Sequence, residues 1–235
     1  MTTAPAPVRP AAAPPAGAPP ARAVARPARA EEAGALSRVL AAAFQEDPLT
    51  RWAFPDPEHR ARVLPAFFRL HLDRCLPHHG VLTARDGADA TAAPLGALLF
   101  LPPGAWEDPG HHDRAADRAA ERALDRAIDT ARHPDCARRL AAITRRQERR
   151  HPRHRPHFYL AFVGVHPDAR GTGAGRALIE ALTTEVDRHG QAAYAETSST
   201  GGARLCASAG FTRFGEAIAL PGGGPRLNPV WRGPR

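Results

Sequence analysis

The segment Val163-Gly-Val-His-Pro-Asp-Ala-Arg-Gly-Thr-Gly-Ala-Gly175-Arg176 decides most of what this sequence predicts. An apolar strand, residues 158–165, leads into it, and a helical pattern over residues 173–189 leads out of it. Glycines at 171, 173 and 175 let the backbone approach a ligand closely, because no Cβ stands in the way. The start of a helix has unpaired N–H groups and a partial positive charge. The segment therefore predicts a turn that binds a phosphate or pyrophosphate.

Permanent positive charge flanks this turn, which we name the glycine turn (residues 170–176). An arginine stands at each end, and a guanidinium stays charged at all physiological pH values. Main-chain N–H groups between the two arginines are expected to contact the anion directly. The predicted anion site comprises Arg170, Gly171, Thr172, Gly173, Ala174, Gly175 and Arg176.

Several interpretations of the glycine turn compete. A nucleotide-triphosphate P-loop needs Gly-Lys-Ser/Thr and is excluded, because the chain has no lysine. A dinucleotide site needs G-x-G-x-x-G; Gly171 and Gly173 fit, the last position is arginine, and Glu196 lies near the place of a ribose-binding acid. An acyl-coenzyme A site needs Arg/Gln-x-x-Gly-x-Gly/Ala, which Arg170, Gly173 and Gly175 satisfy. A turn without a ligand is the plain alternative, but three alternate glycines weaken a helix start for no structural gain.

Periodicity and turn residues predict an alternating set of strands and helices around this segment. Residue Gly190 marks the end of the helix behind the glycine turn, and the strands on either side of that helix are expected to be parallel. We predict strands at 23–27, 81–84, 95–101, 158–165, 192–196, 211–219 and 227–231, and helices at 31–44, from 56 onward, 111–132, 137–150, 173–189 and 203–209.

The chain resembles the GNAT N-acetyltransferase superfamily over most of residues 22–233, and within it the puromycin N-acetyltransferase-like group. The resemblance implies an α/β fold, a three-layer α/β/α domain with a mixed, centrally splayed β-sheet. It also implies acetyl-CoA as co-substrate and an amine as acceptor. The segments that carry it are Leu40-Ala-Ala-Ala-Phe-Gln-Glu-Asp-Pro48, Val163 through Arg176, Ala195-Glu-Thr-Ser198, Ala209-Gly-Phe211, and Leu220-Pro-Gly-Gly-Gly-Pro225 before Trp231.

The same resemblance implies how acetyl-CoA lies on the chain. The pantetheine arm pairs with free backbone groups of residues 162–165, which include Val163 and Val165. The pyrophosphate sits on the amides of the glycine turn. A backbone N–H near Val163 polarises the thioester carbonyl as an oxyanion donor.

Acetyl transfer to an amine needs a base, because only the neutral amine is nucleophilic. Glu196 is the first candidate, since the resemblance places it at a strand end that faces the cleft; a carboxylate that only orders a loop is the alternative. Glu46 and Asp47 are second candidates, on the loop that covers the acceptor side in the superfamily. An ordinary helix terminus is the alternative for those two.

The chain departs from the superfamily beyond Glu196. Similar proteins carry an asparagine before the short helix and a tyrosine shortly before the Gly-Phe pair; the matching positions here are Gly202 and Cys206. The usual coenzyme A contact and the usual acid for the leaving thiolate are therefore absent. Cys206 is the candidate replacement acid, with buried filler as the alternative.

Composition limits the remaining function classes. Residues 1–21 are Ala/Pro-rich and predict a disordered or extended tail before one domain at 22–235. The chain shows neither an apolar run long enough to span a membrane nor a charged-then-apolar leader, so we expect neither membrane insertion nor export. Three widely spaced cysteines favour free thiols in a reducing cytoplasm. A cytoplasmic monomer or homodimer is expected.

Arginines concentrate in one segment. Residues 138–155 contain eight arginines and the single acid Glu148, which accounts for +7 of the net charge of +8. The arginines can simply form a solvent-exposed helix face. Alternatively, they bind an acidic partner such as the phosphates of coenzyme A or a nucleic acid. The segment has no stacking aromatics, which argues against a nucleic acid.

A metal site is not predicted. A ligand-like spacing is found at His71, Cys75, His78 and His79, but no second pair of ligands completes a recognised metal site.

The sequence as a whole favours an acetyl-CoA-dependent N-acetyltransferase that acts on a small-molecule primary amine. Its rivals are an acyl-CoA-binding regulator with a degenerate catalytic centre and an NAD(P)-dependent oxidoreductase. Trp52, Phe54 and Trp106, on the loops expected to shape the acceptor pocket, point to an apolar or aromatic acceptor.

Overall fold

The computed structural model describes residues 23–87, 92–105 and 114–235, apart from the side chains of residues 114–117. The helices and strands follow the predicted alternation closely. They are β1 (Ala23–Pro27), α1 (Ala33–Ala43), α2 (Pro48–Ala53), α3 (Pro57–Cys75), β2 (Val81–Asp86), β3 (Gly96–Leu101), α4 (Arg114–Ile128), α5 (Pro134–Arg150), β4 (His157–Val165), α6 (Ala174–Arg188), β5 (Ala192–Thr197), α7 (Thr200–Ser208), β6 (Thr212–Arg213), β7 (Ile218–Ala219) and β8 (Arg226–Arg232).

The described strands form one mixed sheet in the order β1-β2-β3-β4-β5-β8-β6, with β7 paired to β8. β4 and β5 are parallel, as predicted, and the other described pairs are antiparallel. The mixed sheet expected from the sequence is therefore confirmed. A dinucleotide fold would need a doubly wound parallel sheet, which one parallel pair does not provide.

Alternation along the strands divides the apolar residues between two faces of the sheet. On one face, Leu36 and Leu40 of α1 and Phe68 of α3 pack on Leu99 and Tyr194 in a buried cluster. On the other face, helices α6 and α7 pack on the sheet through a second cluster: Leu178, Leu182, Cys206, Leu98, Phe158, Ala193 and Ala195. The molecule thus has the expected three layers, and successive residues of β5 point to opposite layers.

Strands β4 and β5 separate at their carboxyl ends. Their pairing runs from His157↔Ala192 to Leu160↔Ala195 and then stops. β4 continues beside β3 as far as Gly96↔Val165. The register with β3 shifts between Leu99 and Phe100, so Ala161 is an extra residue that bends β4 just where β5 diverges. This bulge explains the splayed centre of the sheet.

Some predicted boundaries are wrong. Asp47-Pro48 ends α1 as expected but also starts α2, because the Asp47 side chain accepts a hydrogen bond from the Leu49 N–H at 2.8 Å. The single strand expected at 211–219 is two short strands, since Gly215 turns the chain at a φ of 68°. Helix α7 begins three residues early because Ser199 caps it, with its hydroxyl accepting from the Gly202 N–H at 3.2 Å.

Other predictions touch the ends of the described chain. The predicted tail at residues 1–21 lies outside the described residues, and the domain boundary at residue 22 stays a prediction. The start predicted for α4, residue 111, also lies outside the described residues. The helix was predicted to end at residue 132 but ends at Ile128, because Asp129 has a left-handed backbone conformation. Among the described helices, none combines the length and apolar character needed to cross a membrane.

Candidate active site

The glycine turn presents bare backbone above the start of α6. Gly171 and Gly173 have φ values of 85° and 84°, and a Cβ at either position would meet no atom within 4 Å. Gly173 is the N-cap of α6 and offers no side chain to the first N–H groups of that helix. Both the left-handed backbone and the open space above it suit glycine and leave room for a ligand. The strand, turn and helix predicted here are confirmed.

Positive charge lies at both ends of the turn, and both arginines are exposed. The Nε of Arg176 donates to Glu180 at 2.6 Å across one helical turn. Exposed pairs of this kind contribute little to stability, so an anion at the turn can compete with Glu180 for the guanidinium. A cavity of about 440 Å³ borders the turn at Thr172 and is also lined by Arg38 and His166.

The third glycine has a different role. A Cβ at Gly175 would lie 3.5 Å from Val165 and 3.8 Å from Leu205, which are ordinary packing distances. Gly175 therefore lets α6 pack closely on β4 and α7, and its side-chain position faces protein. Val163 and Val165 direct their side chains to the same α6 core, while the backbone of β4 beyond Leu160 is unpaired on its β5 side.

Glu196 lies near the carboxyl end of β5, beside the splayed part of the sheet. The hydroxyl of Tyr159 donates to its Oε2 at 3.0 Å, and the side-chain amide of Gln147 donates to that hydroxyl at 3.5 Å. Glu196 Oε1 and the Tyr194 hydroxyl are also buried, and the two groups interact, because the hydroxyl favours the carboxylate form of Glu196. The carboxyl group is therefore buried between two tyrosine hydroxyls.

Burial changes the acidity of this carboxyl group. It raises the pKa of Glu196 to about 7, while the nearby Tyr194, Tyr159 and Gln147 side chains favour the carboxylate and limit the rise. Burial and the same carboxylate raise the pKa of Tyr159 far above its ordinary value, so its hydroxyl stays a proton donor. A carboxyl group with a pKa near 7 can both accept and release a proton at neutral pH.

The shifted pKa predicts a gain in stability for Glu196→Gln. The folded pKa, about 7, exceeds the unfolded value of 4.5. The unfolded chain therefore loses its proton first, and wild-type stability falls as pH rises from 4.5 to 7. We expect the variant to be more stable by roughly 1–3 kcal/mol at pH 8 and nearly unchanged at pH 4.5, measured by urea unfolding. Glu216→Gln, at an exposed acid, is the control; equal gains for Glu196→Gln at both pH values would contradict the assignment.

The second candidate acids have separate surroundings. Asp47 accepts hydrogen bonds from the Leu49 N–H at 2.8 Å and from the Ser198 hydroxyl at 2.7 Å, which ties the start of α2 to the end of β5. Burial raises the pKa of Asp47, and the hydrogen bond from Ser198 opposes that rise. Glu46 is exposed and lies 3.9 Å from Arg51. Asp47 thus borders the cleft as a helix cap.

Cys206 and Gly202 lie on α7. Cys206 is 2% exposed and belongs to the core between α6, α7 and the sheet, on the face opposite Glu196. Burial raises the pKa of its thiol to about 11. Its surroundings are those of a packed apolar residue, and its role as an acid stays a prediction. Gly202 uses its N–H to complete the Ser199 cap.

Sequence reasoning missed Tyr159, Tyr194 and Gln147 as neighbours of Glu196. A signal was present for one of them, since Tyr194 precedes Glu196 by two residues on a strand and must share its face. Tyr159 and Gln147 come from β4 and α5, and only the packed structure brings them to the carboxylate.

A comparison with protein families decides the identity of the fold. The family described as acetyltransferase (GNAT) family matches residues 141–211, from α5 through β4, the glycine turn and β5 to the end of α7. This segment of the chain is therefore similar to the GNAT acetyltransferase family. No curated protein matches the chain significantly.

Solved structures of acetyltransferases resemble this chain over nearly its whole length. The structure described as "histone acetyltransferase HPA2 and related acetyltransferase" from Corynebacterium glutamicum is 27% identical, with a TM-score of 0.60 over 91% of this chain and 97% of that one. An Aedes aegypti arylalkylamine N-acetyltransferase 2 is 11% identical, with a TM-score of 0.54 over 91% and 99%. A Drosophila melanogaster polyamine N-acetyltransferase is 16% identical, with a TM-score of 0.51 over 89% and 98%. The last two show the shared fold alone.

The glycine turn and Glu196 both lie toward the carboxyl ends of a strand pair, whereas Cys206 lies in the core of the opposite face. The glycine turn follows β4, Glu196 lies near the end of β5, and these two strands are the parallel pair that separates. Ligands of open α/β sheets bind outside the carboxyl ends of such strands. The arginine-rich helix α5 supplies Gln147 to this site, and Arg139 donates to the Trp52 carbonyl at 2.7 Å.

Proposed function

We propose that this chain is a GNAT acetyltransferase that transfers an acetyl group from acetyl-CoA to the primary amine of a small molecule by direct attack. The observation that carries the proposal is the placement of three features along the diverging parallel pair β4 and β5: the open glycine turn after β4, the unpaired backbone of β4 and the half-buried Glu196 on β5. The 27% identical acetyltransferase from C. glutamicum supports the acetyl donor.

In this proposal the chain first binds the diphosphate and the pantetheine arm of acetyl-CoA. N–H groups of residues 171–176 and the guanidiniums of Arg170 and Arg176 hold the diphosphate. The free edge of β4 at Val163 and Val165 pairs with the pantetheine amides as a further strand would. Holding the thioester in the splayed cleft makes the attack effectively intramolecular, which supplies a large part of the rate.

The proton steps then depend on Glu196. Its carboxylate takes one proton from the acceptor ammonium, and the neutral amine attacks the thioester carbon. The carbonyl oxygen gains negative charge and accepts a hydrogen bond from a backbone N–H near Val163. A C–N bond forms, the C–S bond breaks, and the second amine proton leaves with water or the thiolate. A thiolate is a good leaving group, so the buried Cys206 need not protonate it.

One observation favours a second candidate function, an acyl-CoA-binding regulator with a degenerate catalytic centre. Cys206 stands where the superfamily resemblance places the acid, and it is buried with a pKa raised to about 11. A chain without an acid could bind acetyl-CoA and turn over slowly or not at all. The two functions share the cofactor site and differ only in chemistry.

A pair of measurements tests these functions. Coenzyme A and acetyl-CoA should raise the Tm of the full chain, and NAD should leave it unchanged. Thiol release with a panel of small primary amines should then exceed the rate without amine. Stabilisation by acetyl-CoA with no turnover for any amine would favour the regulator, and no stabilisation by either coenzyme would reject both.

Tyr159→Phe tests the environment of the proposed base. The substitution keeps the ring and removes the hydroxyl that donates to Glu196 at 3.0 Å. That hydrogen bond lowers the pKa of the carboxyl group, so its loss should raise that pKa. We expect the acidic limb of the kcat/KM profile to move up by roughly half a unit to one unit. Phe158→Leu, on the opposite face, is the control, and a limb that stays in place would remove Tyr159 from this role.

A further inference from the structure

A cluster of two imidazoles and a thiol, none of which the proposed reaction uses, lies where α3 and α5 begin and α4 ends. One donor atom from each of His59, His133 and Cys136 lies within 4.8 Å of the other two. His59 is in the first turn of α3, Cys136 is in the first turn of α5, and His133 is the N-cap of α5. Distant parts of the chain therefore bring three ligand types for borderline-soft metals to one point.

The orientation of His59 prepares one nitrogen for a ligand. Its Nε2 lies 2.9 Å from the Ile128 carbonyl oxygen, which can only accept, so Nε2 carries the proton. Its Nδ1 must then offer a lone pair, and that atom is buried without a hydrogen-bond partner among the described residues. His59 is 3% exposed. Metal-binding histidines are typically oriented in this way, with the second ring nitrogen donating to a carbonyl.

The other two residues complement this nitrogen. Cys136 is 4% exposed in the first turn of α5, and its thiol loses its proton when a metal binds it. His133 is half-buried, and its ring stacks on His59 with the centroids 3.8 Å apart. Carboxylate or carbonyl oxygens, which Mg²⁺ and Ca²⁺ need, are absent from this group of three.

We propose that His59, His133 and Cys136 bind one Zn²⁺ ion, with a fourth position open to water. Tetrahedral zinc with bonds of 2.0–2.3 Å separates its donors by about 3.5 Å, so the three residues must approach slightly. The half-buried ring of His133 can do this by rotating out of its stack on His59. Binding releases the Cys136 proton to the buffer. The ion joins the starts of α3 and α5 and, through His59, the end of α4. This site departs from the sequence expectation that the chain binds no metal.

Cobalt provides the direct test, because a thiolate bound to Co²⁺ gives a charge-transfer band in the near ultraviolet. We expect the chelator-treated full chain to bind one Co²⁺ with this band, and Zn²⁺ to displace it and raise the Tm. Cys136→Ser should abolish the band and weaken Zn²⁺ binding by at least about 100-fold, since even outer-shell changes cost 10–100-fold. Cys206→Ser makes the same change at another buried cysteine and should keep the band.

A second variant guards against loss of folding. His133 is half-buried, so His133→Ala should keep the fold and still lose most of the Zn²⁺ affinity. The far-ultraviolet circular dichroism of each variant checks the fold. The proposal is overturned if the wild type shows no charge-transfer band, if the band persists in Cys136→Ser, or if it vanishes in Cys206→Ser. Acetyl transfer enters none of these readouts, so the outcome is independent of the proposed function.

Discussion

Gly173→Glu should abolish coenzyme A binding while leaving the chain folded. The residue has a φ of 84° and open space where a Cβ would stand, so a glutamate there projects into the proposed diphosphate site. A carboxylate about 4 Å from a phosphate at an effective dielectric constant near 20 costs about 4 kcal/mol. We expect the Kd for coenzyme A, measured by calorimetry, to rise by roughly 100- to 1000-fold.

Gly190→Glu provides the matched control for this result. Gly190 follows the other end of the same helix, has a φ of 58° and is also open. The substitution introduces the same charge and a comparable left-handed backbone strain, so it should lower the Tm similarly without affecting coenzyme A. S-acetylpantetheine lacks the diphosphate, so the wild type and Gly173→Glu should use it as acetyl donor at equal rates. Unchanged coenzyme A affinity in Gly173→Glu would falsify the diphosphate site.

Glu196→Gln should reduce kcat/KM for an alkylamine by roughly 100- to 10,000-fold at pH 7, the usual contribution of a general base. The amide has nearly the same shape as the carboxyl group but cannot take a proton from an ammonium. Coenzyme A affinity should change less than about twofold, because in the proposed function Glu196 acts on the acceptor amine and does not contact coenzyme A. The acidic limb of the wild-type profile, expected near the pKa of about 7, should disappear.

The choice of acceptor separates a base from a structural acid. An amine that is already neutral at pH 7 needs no proton removal before attack, so the loss caused by Glu196→Gln should shrink for such an acceptor. Glu216→Gln, at an exposed acid that is not a candidate base, should retain nearly full activity with both amines. If Glu196→Gln loses the same activity with ionised and with neutral acceptors, Glu196 shapes the cleft and is not the base.

Local sequence patterns predicted the part of the site that depends on backbone conformation. The alternate glycines and the apolar runs on both sides identified a strand, an open turn and a helix, and the structure has them at 157–165, 170–173 and 174–188. Such features depend on neighbours within a few residues, which a sequence displays directly. Short elements were less predictable. Helix α2 (Pro48–Ala53) was missed because a capping residue followed by proline can mark the end of one helix or the start of the next.

The sequence by itself determined the GNAT-like order of strands and helices and the glycine turn. Only the tertiary structure decided the chemistry of individual side chains. It surrounds Glu196 with Tyr159 and Gln147, buries Cys206 on the opposite face, and brings His59 to Cys136. The physical reason is that a pKa or a ligand set depends on burial and on contacts between distant elements. The contacts of Glu196 follow from the register of the sheet and the bulge in β4, which no local sequence pattern encodes.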